Sequence, residues 1–424
     1  MSEVAKGPTQ RDASGDRVKT RLRTLARGCV PQRVVWEVTL RCDQHCRFCG
    51  TRAGRPRSDE LTTAEALDVV AQLSAMGARE VALHGGETYL RDDWLDVVRA
   101  VRARGMQCTM VTGGRGISRA LADDMKAAGM TAVAVSIDGT EETHDALRGL
   151  AGSHANAQRA LEHLHAAGVP VGCNTQINAR NFRELPDILE LIAARSVYGW
   201  QLQLMVPMGR AAEADDLWLQ PYDLLEVMPR VAEARAQCDA RRIKLWPGNN
   251  LGYFGPYEHL LRADRSRHGY SSGCGGGIRV LGLEANGDVK GCSAMGSEGF
   301  VGGNVRDKPL REIWDCSPEL NFARGFVLDD LWGVCRSCYY AEHCKGGCLW
   351  TSSTLLGRTG NNPYCHHRAL EWLARGKRER LEVVRSAPGH IRDRAQFAVV
   401  VEDAPPEWVA SLPRFAPAKV EAMA

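Results

Sequence analysis

The sequence lacks any long apolar run. Nothing approaches the roughly 18 uninterrupted apolar residues of a membrane-spanning helix, so a transmembrane helix is excluded and no membrane partner is expected. The first residues (Met1–Arg21) are polar, without the apolar core of a secretory leader, so none is expected. Charge of one sign is missing too. Lys and Arg number 54 against 51 Asp and Glu, a net of +3, which argues for neither nucleic acid nor an anionic membrane as partner. Internal repeats and long low-complexity segments are absent. The chain has 424 residues, 44% hydrophobic and 25% charged, enough for a sizeable core and two or three units of ordinary size. It also has fifteen cysteines. In a leaderless chain, clustered cysteines read as metal ligands before disulfides, and thiolate ligands need a reducing compartment, so a cytoplasmic setting is expected.

From Val34 to Met205, short β-branched runs alternate with segments of helical period. The expected strands are Val34–Thr39, Glu80–His84, Gln107–Thr112, Ala132–Ile137, Val171–Ile177 and Trp200–Met205. Between them, Ala66, Val69, Val70, Leu73 and Met76 follow a 3.6-residue period behind a capping Thr62 or Thr63. Six β-then-α units predict an α/β fold, a partial (β/α)6 TIM-like barrel with its chemistry on the loops after the strands. The expected organisation is a flexible N-terminal segment over 1–30, a barrel over 31–210, a bridging region over 211–271, a small cysteine-rich domain over 272–367 and a C-terminal extension over 368–424. In the extension, Arg368–Leu381 reads as helix and Gln396–Val401 as strand.

Directly after the first strand stand Cys42, Cys46 and Cys49, spaced C-x3-C-x2-C. Thiolates select soft metal centres, and a cubane iron–sulfur cluster usually takes four cysteines. Three cysteines with no fourth nearby leave one iron open to a small molecule. The alternative is structural zinc, completed by His45 or a distant ligand. C-x3-C-x-aromatic-C in this place resembles the radical S-adenosylmethionine (SAM) superfamily. Gly85-Gly86-Glu87 after the second strand resembles that family's Gly-Gly-Glu motif, with Thr88 where Pro is frequent. Ser136-Ile137-Asp138-Gly139, His144-Asp145 and Arg148-Gly149 resemble its next motif. The resemblance implies that Glu87 receives the methionine amino group, that Ser136 and Arg148 contact SAM, and that the Phe48 backbone and the stretch around Leu204 border the adenine. It also implies an enzyme that cleaves SAM by one-electron reduction to methionine and a 5′-deoxyadenosyl radical, which abstracts hydrogen from a substrate. A flavodoxin or ferredoxin would supply the electron.

A second set, Cys274-x12-Gly287-x4-Cys292, then Cys335-x2-Cys338-x5-Cys344-x3-Cys348 and Cys365, resembles the SPASM domain of radical SAM enzymes. A zinc ribbon is the alternative for Cys335–Cys348. The resemblance implies two auxiliary [4Fe–4S] clusters, one held by Cys335, Cys338, Cys344 and Cys365 and the other by Cys274, Cys292 and Cys348. Seven cysteines are one short of the eight that two cubanes want, so the first auxiliary cluster is expected to keep an open iron or a non-cysteine ligand. Cys29, Cys108, Cys173, Cys238 and Cys316 read as structural; His366 and His367 could be ligands but read first as solvated helix residues.

SPASM-bearing relatives mostly modify peptides or proteins, so the expected substrate is a ribosomally made precursor peptide. The alternatives are a small molecule (tetrapyrrole decarboxylation or alcohol dehydrogenation) and a non-enzymatic iron–sulfur protein. Sulfatase maturation is disfavoured. There an Asp base follows the cysteine matching Cys292, and here Ser293 stands in its place. The aromatic, glycine-rich Trp246–Glu258 stretch reads equally as peptide groove and packed connector. With no winged-helix module ahead of the barrel, leader recognition would fall to a separate protein or to the tail.

Overall fold

The computed structural model describes residues 13–262 and 270–412, with side chains from Thr20 onward. Ten strands form one sheet. They are β1 (Arg33–Thr39), β2 (Glu80–Gly85), β3 (Gln107–Thr112), β4 (Ala132–Ser136), β5 (Val171–Ile177), β6 (Gly199–Leu204), β7 (Lys244–Pro247), β8 (Val280–Leu283), β9 (Asp288–Lys290) and β10 (Val301–Asn304). Their order is β10-β9-β8-β1-β2-β3-β4-β5-β6-β7. The first six strands run in parallel in sequence order with helical crossovers, as a partial barrel does.

Four strands of this sheet, β7 to β10, lie beyond the six expected. β7 adds in parallel to β6, and β8, from the cysteine-rich part, adds in parallel to β1. Their runs are only four residues long, too short for periodicity to reveal. The sheet therefore continues from the barrel into the second cysteine set.

The strands alternate by face. In β5 and β6, Cys173, Thr175, Ile177, Leu202 and Leu204 are buried, whereas Asn174, Gln176, Gln201 and Gln203 are half-buried on the other side. The buried face packs under amphipathic helices such as Thr63–Ala75, which places Ala66, Val69, Val70 and Leu73 in the main core. Thr62 caps that helix. Its hydroxyl accepts from Glu65 N while Glu65 accepts from Thr62 N, a capping box worth about 1 kcal/mol.

Three expectations are corrected. The lead-in over 1–30 is expected to be flexible, yet Ala13–Ala26 is a helix that buries Leu22 and Ala26; residues 1–12 lie outside the described part. Arg368–Leu381 is not one helix. The helix His366–Ala374 stops before Gly376, whose left-handed φ of 68° ends it, and β11 (Lys377–Arg385) pairs antiparallel with β12 (Gln396–Asp403). His366 is buried rather than solvated, stacked on Tyr257 at 5.8 Å, and burial lowers its pKa to about 4.

Candidate active site

The loop after β1 is held from several sides. Leu40 N donates to Glu60 (2.8 Å), Cys42 N to Gly54 O (3.0 Å), and Arg210 Nε to Cys46 O (2.8 Å). Cys46 is buried, and Cys42 and Cys49 are half-buried. Burial, then the charge of Glu87, pushes the Cys42 thiol up to about 12, with Cys46 and Cys49 adding to the rise. Burial raises Cys46 as well, against the pull of Arg148. The loop thus gathers three thiols that bind a soft metal only as thiolates, each losing its proton to solvent as the metal binds.

The end of β2 meets this loop backbone to backbone. Gly86 N donates to Thr39 O (2.9 Å) and Glu87 N to Arg41 O (2.8 Å). A Cβ on Gly85 would fall 2.1 Å from Thr39 O, and one on Gly86 2.0 Å from Arg41 O, so both positions need glycine. Glu87 is buried. It accepts from Thr112 Oγ1 (2.6 Å), Gly113 N (2.7 Å) and Gln44 Nε2 (3.3 Å), while burial lifts its carboxyl to about 7.

Across the mouth, Ser136 ends β4, half-buried. Arg148 is buried and pairs with Asp138. It also donates to Cys46 Sγ (3.7 Å) and lies over the Phe48 ring at 5.2 Å. Asp138 N in turn donates to His144 Nδ1 (3.1 Å), and Asp138 Oδ1 accepts from Gln176 N (2.8 Å). Leu204 packs into the main core, bonded through its backbone to Asn250. Its neighbour Met205 is the residue that joins Cys46, Phe48 and Leu147 in a small apolar cluster. Asp138 and His144 belong to the motif that opens with Ser136, whereas Gln44, Thr112 and Met205 carry no spacing signal and are brought here by the packing of the loops and the register of the strands.

The second cysteine set falls into two groups. Burial pushes Cys274 up to about 12, and Cys348 and Cys292 add to it. Cys344 is raised well above its ordinary value by burial and then by Cys365, Cys335 and Cys338, and burial likewise takes Cys365 up to about 12. Between the groups sits Tyr253, buried. Its hydroxyl accepts from Cys348 N (2.8 Å), and its carbonyl accepts from Cys365 Sγ (3.7 Å). The aromatic stretch thus splits: Tyr253 is packed, while Phe254 stacks on Tyr340 at 4.5 Å beside a groove of about 770 Å³. Part of the segment before Cys274, residues 263–269, lies outside the described residues. Among the described residues, no three His, Cys, Asp or Glu side chains converge on a point that would hold a single metal ion. A cubane does not ask for convergence, because each thiolate binds its own iron. Thiols gathered into groups and largely shielded from water therefore fit that cluster. No disulfide joins any of the fifteen cysteines, and Cys108, Cys173 and Cys238 are buried in the core.

Family models match twice, the radical SAM superfamily over residues 36–192 and the SPASM iron–sulfur cluster-binding domain over 274–339. The mycofactocin maturase MftC of Mycobacterium ulcerans is 30% identical over 341 residues, covering 78% of this chain and 87% of that protein. The chain belongs to the radical SAM superfamily and carries a SPASM domain. This radical SAM enzyme is also 28% identical to an AdoMet-dependent heme synthase of Methanosarcina barkeri, over 80% of this chain and 97% of the other. Its fold is shared by Streptococcus suis SuiB solved with S-adenosylmethionine (TM-score 0.63, 15% identity, 83% and 80% coverage). SuiB with its precursor peptide SuiA matches at a TM-score of 0.61, with 14% identity and 86% and 82% coverage. Its cofactors are S-adenosylmethionine, a [4Fe–4S] cluster and auxiliary iron–sulfur clusters. No helix among the described residues is long and apolar enough to cross a membrane.

Proposed function

We propose that this radical SAM/SPASM enzyme abstracts hydrogen from a ribosomally made precursor peptide and so matures it. Cys42, Cys46 and Cys49 would hold the [4Fe–4S] cluster, which with SAM supplies a 5′-deoxyadenosyl radical on one-electron reduction. In this reading Glu87 takes the amino group of SAM, Ser136 and Arg148 orient the rest of it, and Phe48 with Met205 keeps water from the adenine side. Cys335, Cys338, Cys344 and Cys365 would hold one auxiliary cluster. Cys274, Cys292 and Cys348 would hold the other, leaving it an open iron or a non-cysteine ligand. The electron would come from a flavodoxin or ferredoxin, and a separate protein would present the leader.

The observation that carries the peptide reading is the half-buried face of β4–β6. Ser136 pairs across to Asn174, Asn174 to Gln201, and Gln176 to Gln203. A row of carboxamides offers donors and acceptors to a peptide backbone. A tetrapyrrole, flat and apolar with anionic side chains, asks instead for free cations. Arg57, Arg392 and Lys290 beside β1 are already engaged by Glu37 and Glu284. The heme synthase relative keeps tetrapyrrole decarboxylation as the second reading, since 97% of its length aligns. The test is anaerobic reduced enzyme with SAM and either a short peptide encoded beside its gene or an iron coproporphyrin. Substrate-dependent 5′-deoxyadenosine with a mass change in the peptide is expected. Turnover of the porphyrin alone would defeat the proposal.

A further inference from the structure

The turn between β11 and β12 does not stay with its hairpin. It reaches β1, the loop after β1 and the turn at Ser293, and buries a side chain among them. Arg392 is 4% exposed. Its guanidinium pairs with Glu37 of β1, lies 3.2 Å from Glu284 just after β8, and donates to the carbonyl of Ser293, next to Cys292. The next residue faces the other way. Asp393 accepts from Arg52, three residues past Cys49, at 3.1 and 3.3 Å, and Gly209 N donates to its carbonyl (2.8 Å). Arg52 also donates to His390 O (3.0 Å) and Gly209 O (3.1 Å).

Two observations mark this clamp as built. Arg52 and Arg392 both hold left-handed φ angles, 52° and 57°, which a non-glycine residue keeps only where its surroundings over-determine it. And the contacts reach three parts of the molecule from two adjacent side chains: a barrel strand, the loop that carries Cys42, Cys46 and Cys49, and the turn that carries Cys292.

We propose that residues 389–394 are a positioning strap, in which Arg392 and Asp393 hold the Cys42–Cys49 loop and the Cys292–Ser293 turn at a set separation across the open end of the barrel. Neither residue touches the reacting atoms. They act through Arg52, Glu37 and the Ser293 carbonyl, so the strap decides how far the SAM site stands from the first auxiliary cysteine group. It does this whichever substrate the enzyme takes.

The test is amide hydrogen exchange on the full-length, anaerobically reconstituted enzyme with Arg392→Met, Arg392→Lys and Asp393→Asn, beside the electron paramagnetic resonance signal of each with and without SAM. Arg392→Met should raise exchange at least tenfold over both 50–57 and 292–297 and leave the helix Trp94–Ala103 unchanged. Arg392→Lys keeps the charge between the two glutamates but loses the fork that reaches Ser293, so it should restore 50–57 and leave 292–297 open. Asp393→Asn should loosen 50–57 alone and alter the SAM-induced resonance shift. A folded Arg392→Met chain with both loops as protected as in the parent overturns the proposal. So does exchange that rises evenly through the barrel in Asp393→Asn, and if Arg392→Met does not fold, Asp393→Asn decides alone.

Discussion

Gly86→Ala tests how the radical SAM site is built. A Cβ there would lie 2.0 Å from the Arg41 carbonyl oxygen, 2.5 Å from its carbon and 2.9 Å from Leu40 O. A carbon–oxygen contact settles at about 3.3 Å, so the strand end and the cluster loop must part by about 1.3 Å. Both sides are main chain, and no rotamer change relieves the overlap. Overpacking of this kind costs about 1–3 kcal/mol, which lowers Tm by about 2–4 °C per kcal/mol in a domain of this size. The larger effect is on geometry. Arg41 precedes Cys42, Glu87 follows Gly86, and a misplacement of about 1 Å costs about 100-fold in rate. The assay is 5′-deoxyadenosine formed by anaerobically reconstituted, dithionite-reduced enzyme, with bound iron and Tm measured in parallel. Gly54→Ala is the control, since it lies in the same loop with nothing within 4 Å of its Cβ, and its Tm should move by no more than about 0.5 kcal/mol implies. Gly86→Ala product formation within threefold of the parent, at an unchanged Tm, would refute the reasoning.

Asp138→Asn strips the buried Arg148 guanidinium of its charge partner and should cost about 3–5 kcal/mol in thermal unfolding; a change under about 1 kcal/mol would contradict the pairing. Iron analysis of Cys42→Ala and Cys338→Ala should each show a loss of about four irons per chain, whereas Cys173→Ala, in the core, should keep all of them. Acid should release the charged cluster under the strap. Burial raises the Glu284 carboxyl, but Lys290 and Arg392 outweigh it and hold it down at about 2, and Glu37 is likewise held low. Their stabilisation is complete above the ordinary carboxyl range of about 4.5 and is lost as pH falls toward 2, by about 3 kcal/mol for Glu284. A Glu284→Gln chain should show a flatter stability–pH curve there, and an identical curve would remove Glu284 from the account. Tyr253→Phe loses the hydroxyl that accepts from Cys348 N and should cost about 1 kcal/mol while shifting the auxiliary-cluster spectrum.

Alternating periodicity was enough to place the six strands β1–β6 and to set Cys108 and Cys173 apart as core residues. Periodicity and cysteine spacing are local signals: a strand or helix of ordinary length repeats its apolar face, and ligand loops crowd their cysteines. The sequence alone thus placed the barrel strands, while the family and its cofactors came from the resemblance its cysteine motifs carry, which the family matches bear out. It could not show β7 and β8, whose runs of four residues repeat nothing. Nor could it show that Met205 rather than Leu204 turns toward Phe48, because which face of β6 meets the core is settled by register. Helix was expected across Gly376, where a left-handed turn begins a hairpin instead. Arg392 reads as one basic residue in a polar tail. It closes on Glu37, 355 positions away, and that pairing exists only once strand, loop and tail have packed together and water has been excluded between them.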